Sequence, residues 1–167
     1  MILYTIGHSV VELQTLIDTL TSNAIELVID VRSKPRSGRL PHFDQNPLQT
    51  AIEQAGIRYR FLGDRLGGVP QDPEIARRWK QGHLDPIIVA HLRSTDEWTD
   101  GIAEVARLLR SGGGTAVCLL CSEGDPNECH RKAVALDAVE IAGDSEITHL
   151  FAGKTAPTEV GVQEVLL

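Results

Sequence analysis

Residues 115–133 read T-A-V-C-L-L-C-S-E-G-D-P-N-E-C-H-R-K-A. An apolar run stops at Cys121, an acidic turn follows, and Cys129-His130-Arg131 opens a segment with helical apolar spacing. A short unbroken apolar run bounded by turn residues is the pattern of a strand covered on both faces. The stretch therefore predicts a buried strand, a loop and a helix start, which is half of a parallel crossover unit and points to the α/β class. It also holds all three cysteines of the chain.

The sequence on either side repeats the pattern. Residues 2–6 form a β-type run ended by Gly7, and Ser9-Val10-Val11-Glu12 fits a capping box in which Ser9 and Glu12 satisfy each other's amides. Leu13, Leu16, Ile17 and Leu20 then predict an amphipathic helix ending near Asn23, with a second, nearly all-apolar strand over residues 25–31. Asn46-Pro47 supplies an N-cap with proline at the first helical position, and Gly56 the stop. Residues 57–62 predict a third strand. Gly63-Asp64-Arg65-Leu66-Gly67-Gly68 is expected as a loop, because glycine removes helix and strand preference.

Asp72-Pro73 and Asp85-Pro86 each read as a cap followed by proline, so two short helices are expected up to Leu92. Ser94-Thr95-Asp96-Glu97 is a second capping box, ahead of a helix whose Trp98, Ile102, Val105, Leu108 and Leu109 line one face and which Ser111-Gly112-Gly113-Gly114 ends. After the strand of the opening stretch come a helix from about Glu128 to Ala142 and a fifth strand over residues 146–151, while residues 152–167 form a tail of uncertain structure. Strands alternating with helices imply a three-layer α/β fold: a mostly parallel five-stranded sheet with helices on both faces, Rossmann-like or flavodoxin-like, in one domain of residues 1–167.

Composition narrows the function classes. With 167 residues, 42% of them hydrophobic, the chain can bury a core without staples. No apolar run approaches the roughly 20 residues that span a bilayer, and the N-terminus lacks the basic start of a signal peptide, so a cytoplasmic protein without a membrane partner is expected. An odd number of cysteines argues for reduced thiols over a secreted disulfide framework. A net charge of −7 disfavours broad nucleic-acid binding, but R-S-K-P-R-S-G-R-L-P-H over residues 32–42 is a local cationic loop with four Lys or Arg. Aromatic residues make up only 4%, which weighs against base stacking, and Trp79 and Trp98 read as core. His42, His83, His91 and His149 are scattered and read as surface or core residues.

In open parallel sheets ligands bind outside the carboxyl ends of the strands. The residues predicted there are His8 and Ser9, Asp30 and Arg32, Gly63 and Asp64, and the run from Cys121 to Arg131. Cys118 and Cys121 form a C-x-x-C, yet three residues of strand span about 10 Å and put the two side chains on opposite faces, beyond the Cα limit of about 7 Å for a disulfide. Cys118 is therefore read as core. Three active roles remain open for Cys121 and Cys129, besides simple packing. Cys121 is a nucleophile with His130 as base, or the two thiols are a redox pair, or Cys121, Cys129 and His130 are metal ligands with His8 the obvious fourth.

Glu123 lies beside the thiols as a candidate acid or base, and in the enzyme reading Glu123 and His8 assist proton transfer. Arg32 and Arg131, with Asp30, Ser9, Lys34 and Arg36, are candidates for holding an anion, since guanidinium groups and helix starts favour phosphate and carboxylate. The leading expectation is a small enzyme with a Cys121-centred site for an anionic small molecule or nucleic-acid fragment, without a cofactor. Its alternatives are a noncatalytic nucleic-acid or protein binding module that uses the loop of residues 32–42, and a Cys/His metal site.

Four ordered motifs, T-I-G-H-S, D-V-R-S-K-P-R-S, F-L-G-D-R-L-G-G and C-S-E-G-D-P-N-E-C-H-R, each after a predicted strand, resemble the family called domain of unknown function 488. The family's Cys, Glu, Pro and Cys-His-Arg pattern falls on Cys121, Glu123, Pro126 and Cys129-His130-Arg131, and its Gly-His-Ser and Asp-Val-Arg motifs on Gly7-His8-Ser9 and Asp30-Val31-Arg32. The likeness covers roughly residues 1 to 151. It implies the α/β fold and the strand-end cluster, and it implies no cofactor and no substrate.

Overall fold

The computed structural model describes residues 1–79, 85–111 and 115–154, with the side chain of Trp79 excepted. The apolar run of the opening stretch forms strand β4 (Val117–Cys121), buried along its whole length. Around it stand β1 (Ile2–Gly7), β2 (Leu27–Asp30), β3 (Arg58–Phe61) and β5 (Glu146–Phe151), all parallel, in the order β3-β2-β4-β1-β5. β4 is thus the centre of the sheet. It pairs with β1 from Leu3 opposite Val117 to Gly7 opposite Cys121, and with β2 from Leu27 opposite Val117 to Asp30 opposite Leu120. The layering is that of doubly wound folds, but β4 lies between β1 and β2, so the order departs from the 3-2-1-4-5 of dinucleotide-binding sheets.

The helices are α1 (Leu13–Ser22), α2 (Gln45–Gln54), α3 (Gly63–Leu66), α4 (Pro73–Trp79), α5 (Pro86–Arg93), α6 (Asp96–Ser111) and α7 (Arg131–Ala142). Side chains alternate along a strand, so β4 feeds two separate cores. Val117, Leu119 and Cys121 pack with Trp98, Ile102 and Val105 of α6 and Ala135 and Ala138 of α7. Cys118 and Leu120 pack on the other face with Leu16 and Leu20 of α1 and Leu48 and Ile52 of α2. The two thiols of C-x-x-C therefore face opposite layers. Among the described residues no helix is long and apolar enough to cross a membrane.

Several local expectations are corrected. The first capping box does not form: α1 starts at Leu13 with Glu12 as an N-cap without a side-chain bond, and Ser9 has φ +49°. A capping side chain needs extended backbone at its own residue, which Ser9 lacks. At the second box Thr95, not Ser94, is the cap, its Oγ1 accepting from the Trp98 amide at 3.2 Å, while Ser94 donates to the His91 carbonyl. Asn46 lies inside α2, which begins at Gln45, and the preceding Asp44 accepts from the Ser37 amide instead of capping the helix. Gly63–Leu66 is a helical turn, not a loop. The helix expected from about Glu128 begins only at Arg131, after a 3₁₀ turn over Pro126–Glu128.

The caps at Asp72 and Asp85 form as expected, and the stop after α2 uses Gly56 at φ +79°. The glycine stop at residues 112–114, His83 and the tail from residue 155 lie outside the described residues.

Candidate functional site

The carboxyl ends of β1, β4 and β2 lie side by side, with Gly7 opposite Cys121 and the Val31 amide donating to the Leu120 carbonyl at 3.0 Å. β1 and β4 stay paired beyond the sheet, through the His8 amide to the Cys121 carbonyl and the Ser9 amide to the Ser122 carbonyl. The chain after Cys121 then turns back over β1. A Cβ on Gly7 would lie 1.7 Å from the Glu123 carbonyl oxygen, so only glycine admits this path. Arg131, fully buried at the first position of α7, donates from Nη1 to the Glu123 carbonyl and from Nη2 to the Gly124 carbonyl. Asp125 caps the 3₁₀ turn by accepting from the Asn127 amide at 2.8 Å, and the turn delivers Cys129 and His130 back against Cys121.

The result is a compact donor cluster. The Sγ atoms of Cys121 and Cys129 and a ring nitrogen of His130 lie within 4.8 Å of one another. Both thiols donate to one carboxylate oxygen, Glu123 Oε2, at 3.3 Å from Cys121 and 3.2 Å from Cys129. His130 Nδ1 is 3.9 Å from the Cys121 sulfur, and its Nε2 is 2.9 Å from the Val31 carbonyl oxygen. A carbonyl only accepts, so Nε2 donates to it and Nδ1 is turned toward the sulfurs. Burial opposes charging of the ring, but its contacts with Cys129 and the Val31 carbonyl outweigh that and raise its pKa. Cys121, Cys129 and His130 are buried, at 2%, 0% and 2% exposure, while Glu123 is half-buried and is the cluster's face toward solvent.

The electrostatics follow from this packing. A hydrogen bond with Cys121 and then burial push the Cys129 thiol far above its ordinary value, and burial does the same to Cys118. Burial of Glu123 opposes its ionisation, but its backbone amide and the two thiol donors outweigh that and hold the carboxyl below its ordinary value.

Beside the cluster lies a second buried network. Asp30 is fully buried and accepts from Arg32 Nη2 at 2.6 Å, Arg32 Nε at 2.9 Å and the Tyr59 hydroxyl at 2.6 Å. Arg32 Nη1 also donates to the Phe43 carbonyl at 2.7 Å. His8 stacks on the Phe43 ring with centroids 4.1 Å apart, and its Nδ1 donates to the Ser9 carbonyl at 2.9 Å. The other ring nitrogen, Nε2, faces Arg32 Nη1 at 3.4 Å. Burial above all, with the Arg32 charge adding to it, lowers the His8 pKa from 6.5 to about 4, against the opposing bond to Ser9.

A pH prediction follows. In the unfolded chain His8 takes a proton as pH falls through about 6.5, whereas the folded protein refuses it until about 4. Stability is thus lost across that window as pH falls, by up to about 3 kcal/mol from this residue. Urea midpoints at pH 7 and pH 4.5 should drop steeply in the wild type and less in His8→Gln. An equal drop in both would remove the assignment.

Of the residues expected at the site, the structure brings Cys121, Cys129, His130 and Glu123 together. His8 is not the fourth member of the donor group, because both its ring nitrogens face Ser9 and Arg32. Glu123 Oε2 is the carboxylate oxygen nearest the two sulfurs. The anion clamp expected of Arg32 and Arg131 finds both guanidinium groups buried and engaged internally, Arg32 with Asp30 and Arg131 with loop carbonyls, since a buried cation needs acceptors. Ser9 joins the site through its backbone. Lys34 and Arg36 are exposed on the loop that leaves β2. Asp64 is exposed, and Gly63 braces the Arg32 backbone, where a Cβ would come within 1.9 Å of the Arg32 carbonyl oxygen.

Three contributors escaped the sequence reading: the Val31 carbonyl, Tyr59 and Phe43. Tyr59 carried a usable signal, because alternation in R-Y-R-F turns it inward, where a phenol needs a partner.

No match exists among curated proteins or among solved structures. The family described as "Domain of unknown function DUF488" matches residues 12–136, a span that contains the whole Cys121–Arg131 motif. The chain belongs to the DUF488 family.

Proposed function

We propose that this protein binds a thiophilic divalent metal ion of the zinc class through Cys121 Sγ, Cys129 Sγ and His130 Nδ1, with the Glu123 carboxylate in the fourth position. The observation that carries the reading is the convergence of those three donor atoms within 4.8 Å, with His130 Nε2 held by the Val31 carbonyl. Metal-binding histidines use one ring nitrogen for the ion and give the other N–H to a carbonyl or carboxylate, which fixes tautomer and orientation. Tetrahedral zinc with Zn–S of about 2.3 Å and Zn–N of about 2.0 Å requires its ligand atoms to be about 3.3–3.8 Å apart. The Cys121–Glu123, Cys129–Glu123 and Cys121–His130 separations of 3.3, 3.2 and 3.9 Å are close to that range. The two sulfurs and the His130 nitrogen, all within 4.8 Å of one another, need only small side-chain rotations to close on an ion.

Burial supports a ligand role over that of a nucleophile toward a bulky substrate. Reactive thiols are exposed and of low pKa, whereas Cys121 is 2% exposed and the Cys129 thiol is pushed up. All three thiols are free, which suits a reducing cytoplasm.

Elemental analysis of protein purified without chelator tests the reading. One zinc-class ion per chain is expected, with proton release on loading, and Cys121→Ser or Cys129→Ser should retain less than a tenth of it. Cobalt loading should give the absorption of tetrahedral thiolate coordination. A metal-free protein that also fails to take up zinc or cobalt from buffered solution would end the proposal.

A second reading rests on Lys34, Arg36 and Arg39. All three are exposed and none forms an ion pair among the described residues. Their loop begins next to Val31, whose carbonyl holds His130, so an anionic small molecule or nucleic-acid fragment drawn to it would lie beside the cluster. Binding to a short single-stranded oligonucleotide should weaken with salt, and neutralising the three side chains should reduce the slope of log K against log salt by about 2. Cys121→Ser should leave that slope unchanged. Salt-independent binding would remove the reading.

A further inference from the structure

We infer that Cys121 and Cys129 are an oxidisable pair that closes to an intrachain disulfide under peroxide, and that this bond and the metal ion are mutually exclusive occupants of the cluster. The inference deepens the metal reading by naming its regulation; the release of the ion rests on that reading, while the bond itself rests on the thiol geometry.

The two sulfurs lie within 4.8 Å of each other. A disulfide needs about 2.05 Å, so rotation about the Cα–Cβ bonds with a modest shift of the loop closes the distance. That loop is short, residues 122–128, and its fold already points both sulfurs at one atom, Glu123 Oε2. Cys118 offers no competing partner, because it packs in the opposite core with its Sγ directed to the Leu119 carbonyl. Entry for a small oxidant is from the side of Glu123, which is half-buried where both cysteines are covered.

The chemistry balances with a hydroperoxide as the oxidant. One cysteine sulfur, as thiolate, attacks a peroxide oxygen; the O–O bond breaks, a sulfenic acid forms, and the other oxygen leaves as water or alcohol after taking a proton. The second thiol then attacks that sulfur, the S–O bond breaks, the S–S bond forms, and water leaves. Two thiols and one peroxide give one disulfide, one water and one water or alcohol. The sulfurs lose two electrons and the peroxide gains them. Starting from the metal-bound thiolates, two protons come from solvent and the ion departs. His130 and Glu123 alone then remain, two donors in place of four.

The test uses the full-length wild type, metal-free and zinc-loaded, treated with one equivalent of hydrogen peroxide, alkylated, digested and analysed by mass. The expected product is a peptide pair linked Cys121 to Cys129, lighter by two hydrogens and reopened by dithiothreitol, with one zinc released per bond. Cys118→Ser should give the same crosslink. Cys129→Ser should accumulate a sulfenic acid at Cys121, trapped by dimedone. Sulfinic or sulfonic acid without a crosslink, a bond through Cys118, or an intermolecular bond would overturn the inference. Reduced protein that takes up no zinc but still forms the crosslink would sink the metal reading alone, and zinc that stays bound after the crosslink has formed would sink the claim of exclusivity.

Discussion

Asp30→Ala is expected to cost about 3–5 kcal/mol of folding stability, the range for removing one partner of a buried ion pair. Asp30 is fully buried, and it is the counter-charge to Arg32, itself 4% exposed. The aspartate also accepts from the Arg32 amide and the Tyr59 hydroxyl, so with Arg32 Nε and Nη2 its loss strands four donors at once. Arg32 does have a second acceptor, the Phe43 carbonyl, but a carbonyl carries no net charge to offset the guanidinium. In a chain of this size such a loss lowers Tm by on the order of 10 °C. Tyr59→Phe removes one neutral donor to that carboxylate and should cost less, about 1.5–3 kcal/mol. Urea unfolding of the two variants checks the ordering: equal costs would mean that the ion pair is not what holds the strand end.

Gly7→Ala should be the most damaging single methyl at the cluster. The added carbon would lie 1.7 Å from the Glu123 carbonyl oxygen and 2.6 Å from its carbonyl carbon, both backbone atoms that no rotamer change moves away. The loop must lift, which pulls the Glu123 and Gly124 carbonyls off Arg131 and leaves a fully buried guanidinium without acceptors. Overpacking of this kind costs about 1–3 kcal/mol, and at the proposed metal site displacement of the Glu123 ligand should lower zinc affinity by at least the roughly 10–100-fold that loss of an outer orienting partner costs. Gly38→Ala is the matched control, since a Cβ there meets nothing within 4 Å. Competition against a chromophoric chelator reads the affinities. Unchanged zinc binding in a folded Gly7→Ala protein would separate the loop path from the metal centre.

What could be read from sequence was set by distance along the chain. The buried centre of the sheet was legible in V-C-L-L-C, and strand alternation alone removed Cys118 from the site, as the two cores bear out. Patterns that depend on a remote partner misled. Ser9-Val10-Val11-Glu12 has the letters of a cap, but the Ser9 amide is tied to Ser122 on the neighbouring strand, and its φ of +49° rules the cap out. Gly63 and Gly67 read as loop residues, yet they serve close packing, where a Cβ would meet the Arg32 carbonyl at 1.9 Å and the Gly63 carbonyl at 2.4 Å. Arg32 and Arg131 read as cations free to hold an anion because their acceptors, a strand-end carboxylate and two loop carbonyls, come into place only when the sheet closes.

Cys121, Glu123, Cys129 and His130 fall within ten consecutive residues, while the Val31 carbonyl that fixes His130 comes from the other end of the chain. Closing so short a loop carries little entropy cost, so the unfolded chain already offers an ion most of the proposed ligands. Affinity for the unfolded state subtracts from the stabilisation an ion confers on the native one. Zinc should therefore raise the melting temperature by less than its native-state affinity predicts, while acting early in refolding as a local nucleus around which β4 and α7 first meet.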